Sequence, residues 1–399
     1  MAGHDPVAIV GCARTALGGL LGALAPLSAP RLGAAALGGA LDRAGVAPDA
    51  PNAVDEVILG CVLPAGQGQA PARQAARAAG LPDAVGCTTV NKMCGSGMKA
   101  AMLAHDLIAA GSATSVLAGG MESMSNAPYL LPKARAGYRM GHGQLLDHMF
   151  LDGLEDAYDK GRLMGTYAED TAAHYQFTRQ AQDDFAIRSL QRAQAATRDG
   201  TAAREIVPVA VATRKGETTV AEDEQPRRAD LGKIPALKAA FRDGGTVTAA
   251  NSSSISDGAA ALLLMPLGQA EARGLTPRAV IRGHATHAQA PAWFTTAPIG
   301  ATTRLLERVG WTAGEVDLYE INEAFAVVTM AAMHELDLPA DKVNVLGGAC
   351  ALGHPIGASG ARILVTLLNA LEVRDLRRGV AAICIGGGEA TAMAVERIP

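Results

Sequence analysis

Short apolar segments with strand character alternate with helical segments through the first 120 residues and again after residue 257. Near the start of the chain, strand segments at residues 7–10 and 56–60 flank a helical run over residues 31–45. Alternation of this kind is typical of βαβ units. The pattern therefore predicts an α/β fold with a largely parallel sheet.

The middle of the chain interrupts this alternation. It contains Met-rich and Gly-rich pieces, a helical stretch over residues 168–199, and a charged run over residues 217–233 that we interpret as a solvated face or loop. We interpret the middle part as an insertion that shapes the mouth of a site. The predicted division is an N-terminal domain of residues 1–122 plus 257–274, an inserted loop domain of residues 123–256, and a C-terminal domain of residues 275–399.

One layer of helix and strand occurs twice in the sequence. Ser96-Gly97 opens a helical run that leads to an apolar strand and to Gly119-Gly120. Ser359-Gly360 opens a second run that leads to a strand and to the three glycines at residues 386–388. Two copies of one layer indicate a duplicated domain. Coincidence in a chain with 46 glycines is the competing explanation.

The amino-acid composition excludes several classes of partner. A net charge of −4 gives no basic footprint, so we expect no nucleic-acid partner. No uncharged stretch is both long and apolar enough to span a bilayer, so we expect no membrane association. The six cysteines lack the close pairs of a zinc site or a disulfide framework. We therefore predict no metal and a reducing, cytoplasmic location.

Cys94 lies between a run of strand formers at residues 87–90 and a helical run that starts at residue 98. Gly95 and Gly97 permit a tight turn and the close approach of other groups. The turn places Cys94 near a helix N-terminus, where free N–H groups and the macrodipole favour a thiolate. The sequence therefore predicts a reactive cysteine, and a buried structural cysteine is the alternative.

Three stretches of the second half carry polar or thiol groups at junctions between strands and helices. Asn322 interrupts an apolar junction, His354 lies among glycines before a helix, and Cys384 ends a strand ahead of three glycines. Each has a structural alternative: an N-cap for Asn322, a satisfied buried ring for His354, and a small core residue for Cys384. Together with Cys94 they supply a nucleophile, a base, a second thiol and an amide donor. All four lie at strand-to-helix junctions, where α/β folds place their sites.

Four ordered blocks of the sequence resemble the signatures of the thiolase family, and within it most nearly the acetyl-CoA acetyltransferases. The blocks are residues 91–100 around Cys94, Asn322-Glu323-Ala324-Phe325, residues 353–357 around His354, and residues 384–388. The resemblance covers essentially the whole chain. It implies duplicated thiolase-like βαβαβ domains in a layered α-β-α-β-α arrangement with an inserted loop domain.

The resemblance implies a role for each candidate catalytic residue. Cys94 would carry the acyl group, His354 would take its proton, and the N–H groups of Cys94 and Gly386 would hold the oxyanion. Cys384 would remove a Cα proton from the second substrate. Asn322 would fix a water that, with His354, holds the enolate oxygen. A thiolate suits the carrier role because it is both a nucleophile and a good leaving group.

The resemblance also implies coenzyme A and acyl-CoA as substrates, with no tightly bound cofactor. The glycine clusters do not follow the dinucleotide pattern, so we assign no NAD site. Leu163 and Phe294 stand where bacterial family members have a histidine and a methionine, and both changes bear on acyl-chain preference. Arg227 is matched to the nucleotide end of CoA. The alternative is that Arg227, which lies in a charged run, is simply exposed to solvent. The positions matched to CoA contacts are Met164, Arg227, Phe241, Ser253, Ala324 and Phe325.

The implied activity is reversible Claisen condensation of two acetyl-CoA to acetoacetyl-CoA and CoA, within fatty-acid metabolism. A broad-range degradative 3-ketoacyl-CoA thiolase is the related alternative, and a CoA-binding thiolase-fold protein without turnover comes from another class. A ketoacyl synthase is disfavoured because Asn322 and Cys384 stand where that arrangement has histidines. The family forms tetramers or dimers, so we expect a homotetramer or homodimer, with residues 126–146 as the candidate assembly segment.

Overall fold

The structure, a computed structural model, describes residues 5–214 and 216–398. Strands are distributed over both ranges. In chain order they are β1 (Val7–Thr15), β2 (Gly18–Gly19), β3 (Glu56–Gly60), β4 (Gly86–Val90), β5 (Val116–Ser123), β6 (Tyr129–Leu130), β7 (Leu146–Asp147), β8 (Ile206–Val207), β9 (Val209–Thr213), β10 (Gly216–Val220), β11 (Ser256–Pro266), β12 (Ala279–Ala288), β13 (Leu318–Ile321), β14 (Arg378–Ile385) and β15 (Glu389–Arg397).

The helices begin and end where the sequence supplies the usual signals. In the first of them a proline lies in the opening turn and Gly45 takes the left-handed conformation (φ 69°) just past the end. The helices are α1 (Ala29–Ala44), α2 (Pro71–Ala78), α3 (Ser96–Ala109), α4 (Met164–His174), α5 (Arg179–Arg198), α6 (Glu224–Arg228), α7 (Leu267–Ala272), α8 (Ala297–Val309), α9 (Ala326–Glu335), α10 (Ala349–Leu352) and α11 (Ile356–Val373). Short 3-10 turns cover Met124–Asn126, Ala202–Arg204, Leu231–Ala236, Pro291–Thr296 and Ala313–Glu315, and a π-helical turn covers Phe150–Leu154.

Eleven strands form one sheet, whose main path is β13-β14-β15-β12-β1-β11-β5-β3-β4. Parallel pairing occurs where β3 meets β4 and β5, where β13 meets β14 and where the short β8 meets β1. The other neighbours along the main path pair antiparallel. The prediction of a largely parallel sheet is therefore wrong, because the sheet is mixed. Residues 386–388, which join β14 to β15, are too few for the crossover that parallel strands need.

Helices α3 and α11 form the middle layer, between the two halves of the sheet. Their apolar side chains share one core cluster with β5 and β11 on one side and with β14 and β15 on the other. Helices α1 and α2 cover the outer face of the first half, and α8 and α9 cover that of the second. The α-β-α-β-α order confirms the predicted fold class. The separation of residues 123–256 as a domain stays a prediction.

The two central helices approach each other closely through glycine. A Cβ on Gly360 would overlap the backbone nitrogen of Met98, and a Cβ on Gly97 would lie 2.8 Å from the backbone nitrogen of Ala361. No side chain fits at either glycine without moving backbone. The two copies of the repeated Ser-Gly element therefore face each other at the centre of the molecule.

One prediction for the middle of the chain is wrong, and a second holds only in part. The helical stretch over residues 168–199 is two helices, because Gln176 takes the left-handed conformation (φ 55°) and ends α4. The charged run over residues 217–233 is not wholly solvated either. Asp223 and Glu224 are buried, and Asp223 accepts two hydrogen bonds from the buried guanidinium of Arg14. A buried arginine needs such a partner, which keeps the Asp223 carboxylate inside.

Within the described residues, α11 alone has the length and apolar composition of a membrane span, with a mean hydropathy of 1.3. In this structure 89% of that helix is buried. Its position between the two halves of the sheet accounts for its composition, because a helix in the core is apolar all round.

Candidate active site

Cys94 lies in the turn between β4 and α3, two residues before the helix begins. Met93 takes the left-handed conformation (φ 46°), which residues with side chains seldom adopt. The Ser96 hydroxyl holds the turn, since it accepts the Lys92 N–H at 2.8 Å and donates to the Met93 carbonyl at 2.6 Å. This network fixes the backbone that carries Cys94.

The end of β14 meets this turn. A Cβ on Gly95 would overlap the side chain of Ile385, so only glycine permits this approach. Burial raises the pKa of the Cys94 thiol to about 11, although hydrogen bonds from the backbone N–H groups of Gly386 and Cys94 lower it. The backbone N–H groups at the helix end therefore act in the expected direction, but they do not decide the net shift. The thiol holds its proton because desolvation outweighs the nearby N–H dipoles.

Cys384 is fully buried, one residue before the end of β14. It belongs to an apolar cluster that includes Phe294, Ala324 and Phe325. Burial raises the pKa of the Cys384 thiol, and the charge of Cys94 raises it further, since two thiolates repel each other. The Cys94 sulphur therefore lies close enough to Cys384 to affect the ionisation of the Cys384 thiol.

His354 lies in the short loop between α10 and α11 and is 6% exposed. Its Nδ1 lies 2.6 Å from Ser359 Oγ, whereas Nε2 is buried with no hydrogen-bond partner among the described residues. Burial lowers the pKa of the ring to about 3, and the positive charge of Arg362 acts in the same direction. The ring is therefore neutral at physiological pH and has one nitrogen available.

The loop that carries His354 adjoins the Cys94 turn. Ile356, two residues after the histidine, belongs to a small apolar cluster against which Met93 and Cys94 pack. A Cβ on Gly97 would lie 3.1 Å from the Gly357 carbonyl. The starts of α3 and α11 are therefore in contact, and the fold brings the predicted nucleophile and the predicted base to the same place.

Asn322 follows β13 and is fully buried. Its Oδ1 accepts a hydrogen bond from Arg362 at 3.3 Å, and its Nδ2 has no partner among the described residues. The N-cap alternative is excluded, because α9 begins four residues later and its N-cap position is occupied by Phe325. A buried amide with one unpaired donor is costly unless something binds there.

The predicted CoA contacts are grouped beside the buried thiol, with one exception. Met164 Sδ lies 3.5 Å from the position of a Cβ on Gly386, and Met164 and Phe241 pack on the apolar cluster of Cys384. The rings of Phe241 and Phe325 meet edge to face, with centroids 5.9 Å apart. These side chains form a continuous apolar wall.

Ser253 and Ala324 lie beside this wall and add polar groups to it. The N–H and the hydroxyl of Ser253 both donate to the Ala324 carbonyl at 2.9 Å. Phe294 is buried in the same cluster and meets Tyr167 edge to face, with centroids 6.3 Å apart. Arg227 is the exception, because it is exposed on α6 and forms no hydrogen bond or ion pair with any described residue.

Comparison with known proteins identifies the family. The thiolase N-terminal domain matches residues 7–267, and the thiolase C-terminal domain matches residues 275–397. The chain belongs to the thiolase family. This thiolase is 50% identical to the acetyl-CoA acetyltransferase of Cupriavidus necator over 98% of its own length and 99% of the relative. It is also 50% identical to acetyl-CoA acetyltransferase 2 of Arabidopsis thaliana, over 98% of this chain and 96% of that one.

The fold comparison agrees with the sequence comparison. The crystal structure of the Bacillus anthracis acetyl-CoA acetyltransferase superposes on this thiolase with a TM-score of 0.96. The alignment covers 100% of both chains at 40% sequence identity. The family and the fold predicted from the sequence are therefore confirmed.

Sequence reasoning missed Glu122, a fully buried carboxylate at the end of β5. It accepts N–H groups from Val62 and Gly357 at 2.9 Å and from Leu63 at 3.2 Å. Burial raises the pKa of Glu122 to about 7 against the effect of these donors. This carboxylate ties the loop after β3 to the start of α11, close to His354.

Sequence reasoning also missed Arg362, a fully buried arginine in the second turn of α11. It forms an ion pair with Glu320 at 2.9 Å and donates to Asn322. The positive charge of Arg362 also lowers the pKa of His354. Glu323, which is part of the same sequence block as Asn322, has a structural role instead. Its carboxylate accepts hydrogen bonds from the Ser189 hydroxyl at 2.7 Å and from the Cys350 N–H at 3.0 Å, and so connects α5 to the start of α10.

Proposed function

We propose that this thiolase is an acetyl-CoA acetyltransferase, which condenses two acetyl-CoA reversibly into acetoacetyl-CoA and CoA through an acyl-Cys94 intermediate. The observation that carries the proposal is the close contact between the Cys94 turn and the end of β14, where a Cβ on Gly95 would overlap Ile385, the residue that follows the buried thiol of Cys384. Relatives that are 50% identical over nearly the whole chain bear the same name. No observation favours the broad-range degradative alternative.

The first half-reaction acylates Cys94. Nε2 of His354 takes the thiol proton, and the thiolate attacks the carbonyl carbon of acetyl-CoA. The negative charge that develops on the carbonyl oxygen faces the N–H groups of Cys94 and Gly386, which need no reorganisation to stabilise it. The carbon–sulphur bond to CoA then breaks, and Cys384 gives its proton to the departing CoA thiolate.

The second half-reaction forms the carbon–carbon bond. The Cys384 thiolate removes a Cα proton from a second acetyl-CoA, which restores its thiol. The enolate carbon attacks the acyl carbon on Cys94, and the bond to the Cys94 sulphur breaks. Cys94 recovers its proton from His354. During this step the Nε2–H of His354 and a water held by the unpaired Nδ2 of Asn322 stabilise the enolate oxygen.

Coenzyme A binds as a substrate, with its pantetheine along the wall formed by Met164, Phe241 and Phe325, and no cofactor is bound tightly. The apolar surface of that wall and its position beside Cys384 support this placement. Arg227 contacts the nucleotide end of CoA, which suits an exposed cation without a protein partner. Phe294 fills space that a smaller side chain would leave to the acyl chain.

The protein assembles as a homotetramer or a homodimer in the cytoplasm, where it acts in fatty-acid metabolism. The assembly segment over residues 126–146 exposes large apolar side chains, including Tyr129 at 66%, Leu145 at 65% and Met140 at 98%. A segment that exposes several large apolar side chains is typical of an interaction surface. The cytoplasmic location is supported by six free cysteines and no disulfide among the described residues.

Intact-mass measurement tests the proposed intermediate. After incubation with acetyl-CoA, the wild type should gain one acetyl group, and a Cys94→Ala variant should gain none. Cys87→Ala is the matched control, because Cys87 is another partly buried thiol with a raised pKa and lies on β4, the strand that precedes the Cys94 turn. Acylation of Cys94→Ala, or no acylation of the wild type, would overturn the proposal. Rates on acetoacetyl-CoA and on longer 3-ketoacyl-CoAs then define the substrate range.

A further inference from the structure

A cluster of three metal-ligating side chains lies outside the proposed active site. His105 and Asp106 are adjacent on α3, and His284 lies on β12. One carboxylate oxygen, Asp106 Oδ1, lies 3.1 Å from Nδ1 of His105 and 2.8 Å from Nε2 of His284. The two imidazole rings meet edge to face, with centroids 5.1 Å apart. Two histidines thus converge on one carboxylate from different elements of the fold.

The dimensions of this cluster suit a small divalent ion. One ligand atom from each of the three residues lies within 4.8 Å of the other two. Around a tetrahedral zinc ion, nitrogen and oxygen ligands at 2.0–2.2 Å lie about 3.4 Å from one another. The two hydrogen-bonded separations, 2.8 and 3.1 Å, therefore need to open by only a few tenths of an ångström.

The protons of the two rings do not prevent binding. Without an ion, Nδ1 of His105 and Nε2 of His284 each donate a hydrogen bond to Asp106. A bound ion would take the place of the proton on each of these two nitrogens. The opposite nitrogens, Nε2 of His105 and Nδ1 of His284, form no hydrogen bond with any described residue. Each neutral ring accepts the displaced proton there, so binding requires a change of tautomer and no net loss of protons from the imidazoles.

The supporting elements are rigid and the cluster remains accessible. Helix α3 belongs to the central layer, and His284 is held in register with Met393 of β15. The side chains of His284, His105 and Asp106 are 13%, 21% and 53% exposed. Three protein ligands with an open side leave a fourth position for water, as in zinc sites that are not fully enclosed.

We propose that His105, Asp106 and His284 form a binding site for one divalent transition-metal ion, with zinc the best fit. Two imidazoles and one carboxylate select ions of this class over magnesium and calcium, which prefer all-oxygen ligands. The bound ion cross-links α3 to β12. It does not take part in the thiolase reaction, because His105 lies roughly 15 Å along α3 from the Cys94 turn.

The surrounding charges favour modest affinity. Lys99 lies on α3, as His105 and Asp106 do, and its positive charge repels a cation bound at His284. Arg308 brings a second positive charge, because its guanidinium donates a hydrogen bond to the His284 carbonyl at 2.6 Å. The single carboxylate of Asp106 offsets one unit of the charge of the ion. We therefore expect a reversible site that strengthens the contact between α3 and β12 when zinc is available.

Calorimetric titration of the full-length protein with zinc chloride tests this site. The accessible thiols are first alkylated with iodoacetamide, because Cys94 would otherwise compete for zinc. We expect one zinc ion per chain, and binding at least about tenfold weaker in His284→Gln and in the nearly isosteric Asp106→Asn. His287→Gln is the matched control, because His287 lies on the same strand outside the cluster and should leave binding unchanged.

Two results would overturn the proposal: absence of zinc binding by the alkylated wild type, or equal binding by the wild type and both cluster variants. Circular dichroism establishes that each variant is folded. Anomalous scattering from a zinc-soaked crystal gives a second, independent answer. A peak between His105 and His284 supports the site, and a peak confined to Cys94 or Cys384 refutes it. The outcome is separate from that of the acylation assay, which concerns different residues.

Discussion

His354 Nδ1 and Ser359 Oγ lie 2.6 Å apart, and the hydroxyl of Ser359 also lies 3.0 Å from the Pro355 carbonyl. A carbonyl oxygen can only accept a hydrogen bond, so the single hydroxyl proton points at Pro355. The imidazole must then donate its Nδ1–H to the serine oxygen. The lone pair is left on Nε2, the buried and unpaired atom that we propose as the base for Cys94.

Ser359→Ala should lower kcat by about 10²-fold, because nothing would then fix the tautomer that presents the lone pair. KM for acetoacetyl-CoA should change little, since Ser359 is buried behind the histidine. Steady-state kinetics measure both constants. Ser359→Thr keeps the hydroxyl and should recover part of the rate. A Ser359→Ala enzyme with the kcat of the wild type would rule out this positioning role.

The ionisation of His354 should make stability fall in mild acid. Burial and the charge of Arg362 lower the pKa of His354 in the folded protein to about 3, from an ordinary value of 6.5. Below pH 6.5 the unfolded chain therefore binds a proton that the folded chain does not, so the free energy of unfolding decreases as pH falls. The loss should be about 1.4 kcal/mol per pH unit between these two values.

Urea denaturation at pH 7.5, 6 and 5 measures this loss as a difference between the wild type and His354→Gln. The buried carboxyl groups of Glu122 and Glu320, whose pKa values are raised, titrate in both proteins, so their contribution largely cancels. The wild type should lose more stability than the variant from pH 6 to pH 5. Parallel pH profiles would show that His354 is not held neutral by the fold.

Asn322→Asp separates the two ends of the asparagine amide. The carboxylate keeps an oxygen for Arg362, so the buried hydrogen bond at Oδ1 is retained. It loses the Nδ2 donor that we propose holds the water at the enolate oxygen. Turnover should fall about 10²–10³-fold, as when one oxyanion donor is removed, and Asn322→Ala should fall by a similar factor. If Asn322→Asp turned over at the normal rate, the donor role would be wrong.

Cys384→Ala should uncouple the two half-reactions. Acyl transfer to Cys94 needs the N–H groups of the turn and His354, which this variant keeps, and the departing CoA thiolate can take its proton from water in place of Cys384. Condensation needs a base for the Cα proton, which it lacks. We expect an acetylated enzyme by intact mass and no acetoacetyl-CoA by absorbance. Failure of the folded variant to acylate at all would mean that the division of roles between the two thiols is incorrect.

The catalytic candidates were predictable because each one breaks a local pattern. Cys94 stands at a turn permitted by glycines, Asn322 interrupts an apolar junction, and His354 lies among glycines before a helix. The pKa of Cys94 was not predictable in the same way. It depends on how closely the end of β14 covers the sulphur, and that contact joins residues almost 300 positions apart in the sequence. Desolvation is a property of the assembled fold.

The supporting groups could not be predicted for a related reason. Glu122 binds Gly357, which lies 235 residues away, and Asp106 binds His284 across 178 residues. No local period or spacing signals such a pair. The parallel sheet was predicted wrongly because strand and helix alternation does not record which strands return through short connections. Alternation therefore predicted an α/β fold, the resemblance to the thiolases supplied its layers, and only the structure gave its polar contacts.

Removal of apolar side chains from the assembly segment should change the oligomeric state. Met140 and Leu145 are 98% and 65% exposed, and burying them against another copy would stabilise association. A Met140→Asp, Leu145→Asp variant should give a smaller assembly than the wild type by light scattering, with its acylation of Cys94 retained. Val373→Asp serves as the control, because Val373 is also exposed, at 44%, but ends the central helix α11. An unchanged mass for the double variant would place the subunit interface elsewhere, since two buried carboxylates without partners could not be tolerated within it.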